Sequence, residues 1–573
     1  MPHIRLIAPT IITTIMMACA PVAPGGQQSQ ADTPSSAVSQ ARTLVMVLRQ
    51  EPPSVASKPL REAGSSVASA TRLFNAELDY VDEREVAHPY LAEALPQLHT
   101  ESWRVFPDGR METSYRLRPN ITWHDGTPFS AEDYAFAWRV YRTPELGAST
   151  DRPLNLIEEV LAPDARTVAI RWRQPYPEAD ALGGTFQALP RHILEAPFQS
   201  AASNPEGFLG NPFWSNEYVG VGPYRLDRWE PGAFLEGVAF AGHVLGRPRI
   251  ERVRLLFMPD ANVVLAALLS GSAHIAVDNS LKYEQSAILE REWGPRTEGV
   301  ILLSPSQWRS TEFQFRPELV NPPAILDLRV RRAFAHAMDR QALNEILLGG
   351  KGIVPDTPIS PLAAYNAAID RVTTKYPHDA RRAEALFAEA GFTRGSDGFL
   401  TNAGADRFRF ELWTIAGVQN EVELPILMDT FRRLGLDVTP HILGAAQLAD
   451  RRVRSSFPAL SQTSGGGGES GLVGLRSAPP GPENQGLGGG GRGGWANAEF
   501  DRFVDAFNTS LDRSERTEHI VQMARIFSEQ LPKVPLFFSI RVTAHVATLS
   551  GPLLSTTPEA GSESWNVHEW AWR

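Results

Sequence analysis

Cys19 is the only cysteine in a chain of 573 residues. No disulfide within the chain can staple the fold, and no cysteine-based metal centre can form. The protein must therefore be held by a buried apolar core. A chain of this length can build one, because the share of surface removed from water rises with size. The hydrophobic content of 43% and charged content of 21% are those of an ordinary globular protein. The length predicts two or more domain-sized units. The formal net charge of −10 argues against a nucleic-acid partner, since phosphate binding calls for a basic surface.

The position of the cysteine carries a second message. Ahead of it, Leu6 to Ala18 is a mostly apolar run behind Arg5, the layout of a secretory signal peptide. The run is too short to cross a bilayer, which takes roughly 20 apolar residues. Met16-Met17-Ala18-Cys19 resembles the bacterial lipobox, with Met where Leu is usual. The resemblance implies that residues 1–18 are removed and that Cys19 is lipidated, anchoring the protein to the extracytoplasmic, or periplasmic, face of a membrane. Residues 19–42 are rich in Pro, Gly, Ser, Gln and Ala, too poor in large apolar side chains to offset their ordering entropy, and read as a disordered tether. No second long apolar run follows, so the mature chain is not expected to span the membrane.

Order begins with Leu44-Val45-Met46-Val47-Leu48, a buried-strand pattern. Met111 to Leu117 alternates apolar and polar, as a half-buried strand does. Asp125-Gly126 marks a turn, after which Ser130 caps a helix through Tyr141, with Glu132 and Asp133 near its positive end. His124 and Asp125 read as turn residues, not as acid–base or metal groups. Gly220-Val221-Gly222-Pro223 is a tight turn feeding a strand; it lacks the third Gly and following helix of a phosphate loop. Val330, Phe334, Ala337 and Met338 share one helical face, with Asp339 placed to cap the next helix. Ala383, Leu386, Phe387 and Ala390 form another, and Gly391 suits the left-handed position after the last turn. There is no serine nucleophile elbow, no His-Glu-x-x-His, no cysteine nucleophile and no carboxylate pair of catalytic type, so an enzyme is not expected. The 13 histidines show no ligand-like pair, and neither a metal nor a cofactor is expected.

Several blocks in order resemble one known family. The run from Arg118 to Tyr134, centred on Trp123-His124-Asp125-Gly126-Thr127-Pro128-Phe129, resembles the signature of extracellular solute-binding proteins of the oligopeptide, dipeptide and nickel type, family 5. Val219 to Leu226 with Trp229, Leu328 to Arg340, Asp379 to Gly391 and Phe431 to Val438 match further blocks. The resemblance implies an α/β, two-lobed periplasmic binding protein type II fold (class C), with a third domain inserted in the first lobe. Lobe I would comprise 43–75, 186–300 and 541–573, the insert 76–185, and lobe II 301–540. It implies a monomeric substrate-binding lipoprotein that captures a peptide, sugar-like or other small solute between hinged lobes and delivers it to ABC permease subunits. The alternative is a sensing receptor or chaperone of the same fold.

One departure bears on the ligand. Peptide-binding members carry an Asp that holds the peptide amine, in a stretch ahead of the helix that here follows Trp495. Phe457 to Gly471 has no such Asp; Glu469 is its only carboxylate. The Gly-rich run to Gly494 suits close approach of backbone to an uncharged, anionic or sugar-like solute, or a mobile surface loop. The expected ligand contacts are Trp308, Trp413, Trp495, Asn279 and Glu469. Trp308 matches a position often aromatic in the family. Trp413 lies toward a strand's C-terminal end, where α/β clefts form. Core packing is the competing reading for each Trp. Asn279 follows Leu269 to Ile275, where Ser272 and His274 replace the family's acidic residues.

Overall fold

Two long antiparallel strands, Gly299–Phe313 and Lys533–Val546, run side by side through the middle of the molecule. The structure is a computed structural model that describes residues 42–58, 60, 67–149, 152–448, 450–481, 485–554 and 562–573. The expected signal peptide (residues 1–18), Cys19 and all but the last residue of the expected tether lie outside the described residues. The two strands are the centre of a ten-stranded sheet. On one side the order continues through Ile275–Leu281, Leu44–Leu48, Arg252–Phe257, Phe234–Ala239 and Tyr224–Glu230. On the other side it continues through Leu460–Gly465, Arg409–Ile415 and Asp437–Leu443.

The first long strand carries the chain from one half of this sheet to the other, and the second brings it back. Their ladder shifts register between Pro305 and Trp308 and again between Arg309 and Ser310. Pro305 and Pro535, which pairs with Ser310, have no N–H to donate, so the pairing is weakest near the crossing. A separate four-stranded antiparallel sheet is built from Trp103–Val105, Met111–Arg116, Thr167–Trp172 and Ile157–Asp164, in that spatial order. The helix Ala131–Tyr141 packs on it.

The apolar interior divides along the same line. One large buried cluster draws on residues between Leu44 and Val277 and on Leu549, Val567 and Trp570. Two others draw only on residues between Trp308 and Phe538. The burial of large side chains such as Trp123, Trp172, Phe334 and Phe431 supplies the cohesion that disulfides would supply elsewhere.

The local elements follow the sequence pattern closely. The first strand is Leu44–Leu48 and the alternating strand Met111–Arg116. Ser130 precedes the helix as expected, its backbone N–H donating to Asp133 Oδ2 at 2.9 Å. Asp339 accepts from Ala342 N–H at 2.9 Å at the start of Arg340–Leu348. Gly391 has φ of 91°, the left-handed stop predicted for it.

The two strongest motifs meet in space. His124 Nε2 lies 3.0 Å from the Gly222 carbonyl oxygen, and Gly220 N–H donates to His124 Nδ1 at 3.2 Å. Gly220 and Gly222 are glycines because the chain passes directly over Phe74 and Asn75. A Cβ at Gly220 would stand 2.0 Å from the Phe74 carbonyl oxygen, and one at Gly222 2.2 Å from Asn75 N. His124 thus braces a turn, and Asp125 bonds to His192 at 2.7 Å.

Among the described residues no helix is long and apolar enough to cross a membrane, and no group of three or more His, Cys, Asp or Glu is placed to hold a metal ion.

Candidate functional site

A cleft of about 1380 Å³ is walled by both parts of the molecule. One wall comes from Ser57 to Trp103 and from Pro177 to Gly184, the other from Ile359 to Tyr365, Gly468-Glu469 and Leu511 to Thr517. The volume exceeds the range of about 300–1,000 Å³ usual for a drug-sized ligand. Apolar side chains line both walls: Val86, Leu95 and Leu98 on the first, Ile359, Leu362 and Leu511 on the second.

The first wall has a rigid polar base. Asp79 Oδ1 accepts from the N–H groups of Leu182 and Gly183 at 2.8 and 2.9 Å, and Glu77 Oε2 accepts from Gly184 N–H at 2.6 Å. Arg72 stands 3.2 Å from the same Glu77 oxygen. Burial, with the neighbouring Glu77 charge adding to it, pushes the Asp79 carboxyl up to about 7. The two carboxyls thus pin the Gly183-Gly184 backbone against the cleft.

The second wall brings charges to the end of two helices. Glu469 sits in the first turn of the short helix Gly468–Val473, entered through Gly468 at φ of 71° with its N–H on the Pro358 carbonyl at 2.9 Å. Arg516 sits in the first turn of Arg513–Gln530, whose start is held by Asp512 accepting from Ser514 and Glu515 N–H at 2.8 and 3.0 Å. Arg516 stacks on Phe507 with its guanidinium 4.3 Å from the ring centre and donates to Glu178 on the other wall. Its nearest approach to Glu469 is 3.8 Å. Tyr365 OH donates to Glu469 Oε1 at 3.0 Å. Burial raises the Glu469 carboxyl above its ordinary range, while Arg516 and the Tyr365 hydroxyl pull the other way.

Of the five predicted contacts, Glu469 lines this cleft and the other four are not in its wall. Trp308 is 2% exposed and meets Phe527 edge to face in the apolar cluster that also holds Trp495. Trp495 packs on Phe500. Trp413 stacks on His441 with ring centres 4.0 Å apart, and its Nε1–H donates to Glu411 at 2.7 Å. Asn279 follows Asp278 in a left-handed kink of Ile275–Leu281, and its carbonyl accepts from Lys282 Nζ at 3.1 Å. The three tryptophans find their partners within the protein.

The Gly-rich run divides between two tasks. Gly468 lines the cleft. The later glycines clasp Arg316 instead: its guanidinium donates to the carbonyls of Gly488 at 2.9 Å and Arg492 at 2.6 Å, and Gly493 N–H donates to Glu312 at 2.7 Å. A Cβ at Gly493 would stand 2.0 Å from the Phe313 carbonyl oxygen. Close packing accounts for these later glycines: a Cβ at Gly494 would stand 2.6 Å from the Arg316 guanidinium carbon and one at Gly490 1.8 Å from the Leu475 carbonyl oxygen, and Gly488 to Gly494 stand apart from the cleft wall. Sequence reasoning missed Glu178, Asp180, Tyr365 and Arg516. They sit in no motif, and only the fold brings them to one cleft.

The model of the bacterial extracellular solute-binding proteins, family 5 Middle, matches residues 93–471. The chain belongs to this family. A Brucella ovis protein named as an ABC transporter peptide-binding protein is 25% identical over 294 residues, 51% of each chain. The chain thus spans about half the length of that relative. The oligopeptide-binding protein AppA of Bacillus subtilis is 23% identical over 65% of this chain and 64% of its own. The glutathione-binding protein GsiB of Escherichia coli is 25% identical over 80% and 83%.

Among solved structures, NikZ of Campylobacter jejuni with Ni(L-His) superposes with a TM-score of 0.71 at 21% identity, over 92% of this chain and 99% of its own. The Bacillus subtilis AppA complex with a nonapeptide gives 0.70 at 20% identity, over 93% and 99%. The fold of this family 5 protein is therefore the two-lobed type II periplasmic binding protein fold.

Proposed function

We propose that this protein is the substrate-binding component of an ABC importer, taking a peptide or another small solute into the cleft between its lobes and presenting it to a membrane permease. The observation that carries the reading is the cleft itself: a large, partly apolar, partly charged space walled by two bodies joined through one pair of strands. Such a construction closes by bending at the pair, and a solute drives closure only by binding the closed form better than the open one. Lobe I is taken as 43–75, 186–300 and 541–573, the insert as 76–185, and lobe II as 301–540. Glu469 is a contact to the solute from lobe II. The protein acts as a non-catalytic monomer on the extracytoplasmic side, held by a lipid on Cys19 through the tether that follows.

The names of the relatives support the class and not a particular ligand. A thermal-shift screen of short peptides, glutathione, metal chelates and oligosaccharides tests the reading. A ligand at 100 times its Kd adds about 2.7 kcal/mol and raises the melting point measurably. Transport needs a further check: vesicles carrying the neighbouring permease should take up the stabilising solute only when the protein is added. Stabilisation by no solute, together with binding to a sensor protein, would overturn the importer reading. Mass spectrometry of the mature amino terminus, seeking acyl chains on Cys19, tests the anchor.

A further inference from the structure

Five carboxylates line the cleft: Glu77, Glu85, Glu178, Asp180 and Glu469. Four of them are already engaged by the protein. Glu77 is met by Arg72 and Gly184 N–H. Glu178 receives the Arg516 guanidinium. Glu469 is met by the Tyr365 hydroxyl and lies 3.8 Å from the same guanidinium. Glu85 has a partner of its own. Asp180 differs. Among the described residues no cation lies within 4 Å of it, and no other residue donates a hydrogen bond to its carboxylate. It stands half-buried on the first wall, two residues before Leu182, whose N–H Asp79 holds.

We infer that Asp180 is the cleft's receptor for an ammonium group of the solute, an assignment that rests on the cleft being the solute site. A carboxylate taken partly out of water needs a counter-charge, and every other cleft carboxylate has found a partner in the protein. The ligand class that follows is a solute with a protonated amine: a peptide with a free amino terminus, or a small polyamine. The amine is held from the first wall, opposite Glu469, whose charge Arg516 already offsets. The charged groups that act on Asp180 are Glu178 on its own wall and Arg513 and Arg516 on the opposite one, and the Tyr115 hydroxyl donates to the neighbouring Ala179 carbonyl. Burial raises the Asp180 carboxyl above its ordinary range, Glu178 adds to this, and the two arginines oppose it. An arriving ammonium favours the ionised form, so binding releases a proton at acidic pH, and affinity for the amine weakens as pH falls.

The test uses calorimetric titration of the full protein with three probes: mixed-sequence tetrapeptides with free amino termini, the same set N-acetylated, and putrescine. Each is run at neutral and acidic pH, in two buffers of different ionisation enthalpy so that released protons are counted. The expected result is binding by a probe with a free amine, with proton release at acidic pH. Asp180→Asn weakens that binding at least about tenfold and abolishes the proton release, while Asp180→Glu keeps both. Melting of the unliganded variants, unchanged from wild type, separates this from a folding defect. Acetylated peptides binding as well as free ones would overturn the assignment and leave the solute reading standing. Binding of putrescine alone, lost in Asp180→Asn, would uphold the assignment and overturn the peptide reading. Unchanged amine affinity in Asp180→Asn, or no binding by any amine, overturns the assignment.

Discussion

Arg516 donates to Glu178 on the opposite wall of the cleft, although 338 positions separate them in sequence. This is a bond across the cleft that needs no solute. Glu178 is 46% exposed, so the pair is screened and contributes modestly. Glu178→Gln is expected to lower the unfolding free energy by about 0.2–1 kcal/mol, measured by urea denaturation. It should also widen the spread of lobe separations in the unliganded protein, seen by small-angle scattering. An unchanged scattering profile would show that the pair plays no part in setting closure.

A second ion pair behaves differently because it is buried. Arg309, just past the strand crossing, donates to Glu423 Oε1 at 3.0 Å and Oε2 at 2.6 Å, and Gln462 donates to Glu423 Oε2 at 3.2 Å. Neither charged side chain reaches water appreciably. Glu423→Ala leaves the arginine charge unpaired and should cost about 3–5 kcal/mol, whereas replacing both residues with apolar ones of similar volume should cost much less. Equal losses in the single and double variants would contradict this account.

His124 gives the fold a pH dependence whose sign is fixed. Burial lowers its imidazole from 6.5 to about 4, outweighing its bond to Gly222. The unfolded chain therefore takes up the proton first as pH falls. Stability from this residue is complete above pH 6.5, declines as pH drops toward 4, and is flat below, a loss on the order of 3 kcal/mol. Asp79 works in the opposite direction: raised to about 7, it favours the folded state below its unfolded value, a contribution lost as pH rises through 7. The wild-type profile mixes the two, so the measurement is the stability difference between wild type and His124→Asn across the acidic range. That difference should shrink as pH falls; a constant one would refute the assignment.

Gly220 should tolerate no side chain. Its Cβ would collide with the Phe74 carbonyl oxygen at 2.0 Å, and backbone cannot step aside as a side chain can. Gly220→Ala is expected to cost about 1–3 kcal/mol or more. Gly294→Ala, where nothing lies within 4 Å, serves as the control and should stay within about 0.5 kcal/mol. Thermal melts of both variants decide the matter.

Much of the scaffold was legible in the sequence because its signals are local. A helix cap such as Asp339, a left-handed stop such as Gly391 and an alternating strand such as Met111–Arg116 depend on neighbours a few residues away. The cleft was far less legible. Trp308 and Trp495 attracted attention as aromatic residues near variable stretches, yet their large apolar rings gain most from burial and went to the core. Glu469 was legible because a missing family Asp pointed to its neighbourhood. Glu178, Asp180 and Arg516 look like ordinary charged residues. Only their meeting across the cleft gives them meaning, and no spacing in the chain encodes it.

The paired strands Gly299–Phe313 and Lys533–Val546 have a practical consequence. Two neighbours in one ladder define a single line, so opening about it is described by one angle. One distance across the cleft is then enough to follow the whole motion. The body from residue 42 onward contains no cysteine, so a pair of thiols introduced at opposite rims would be the sole attachment points there. A single dye pair could thus read the state of this receptor directly, one molecule at a time.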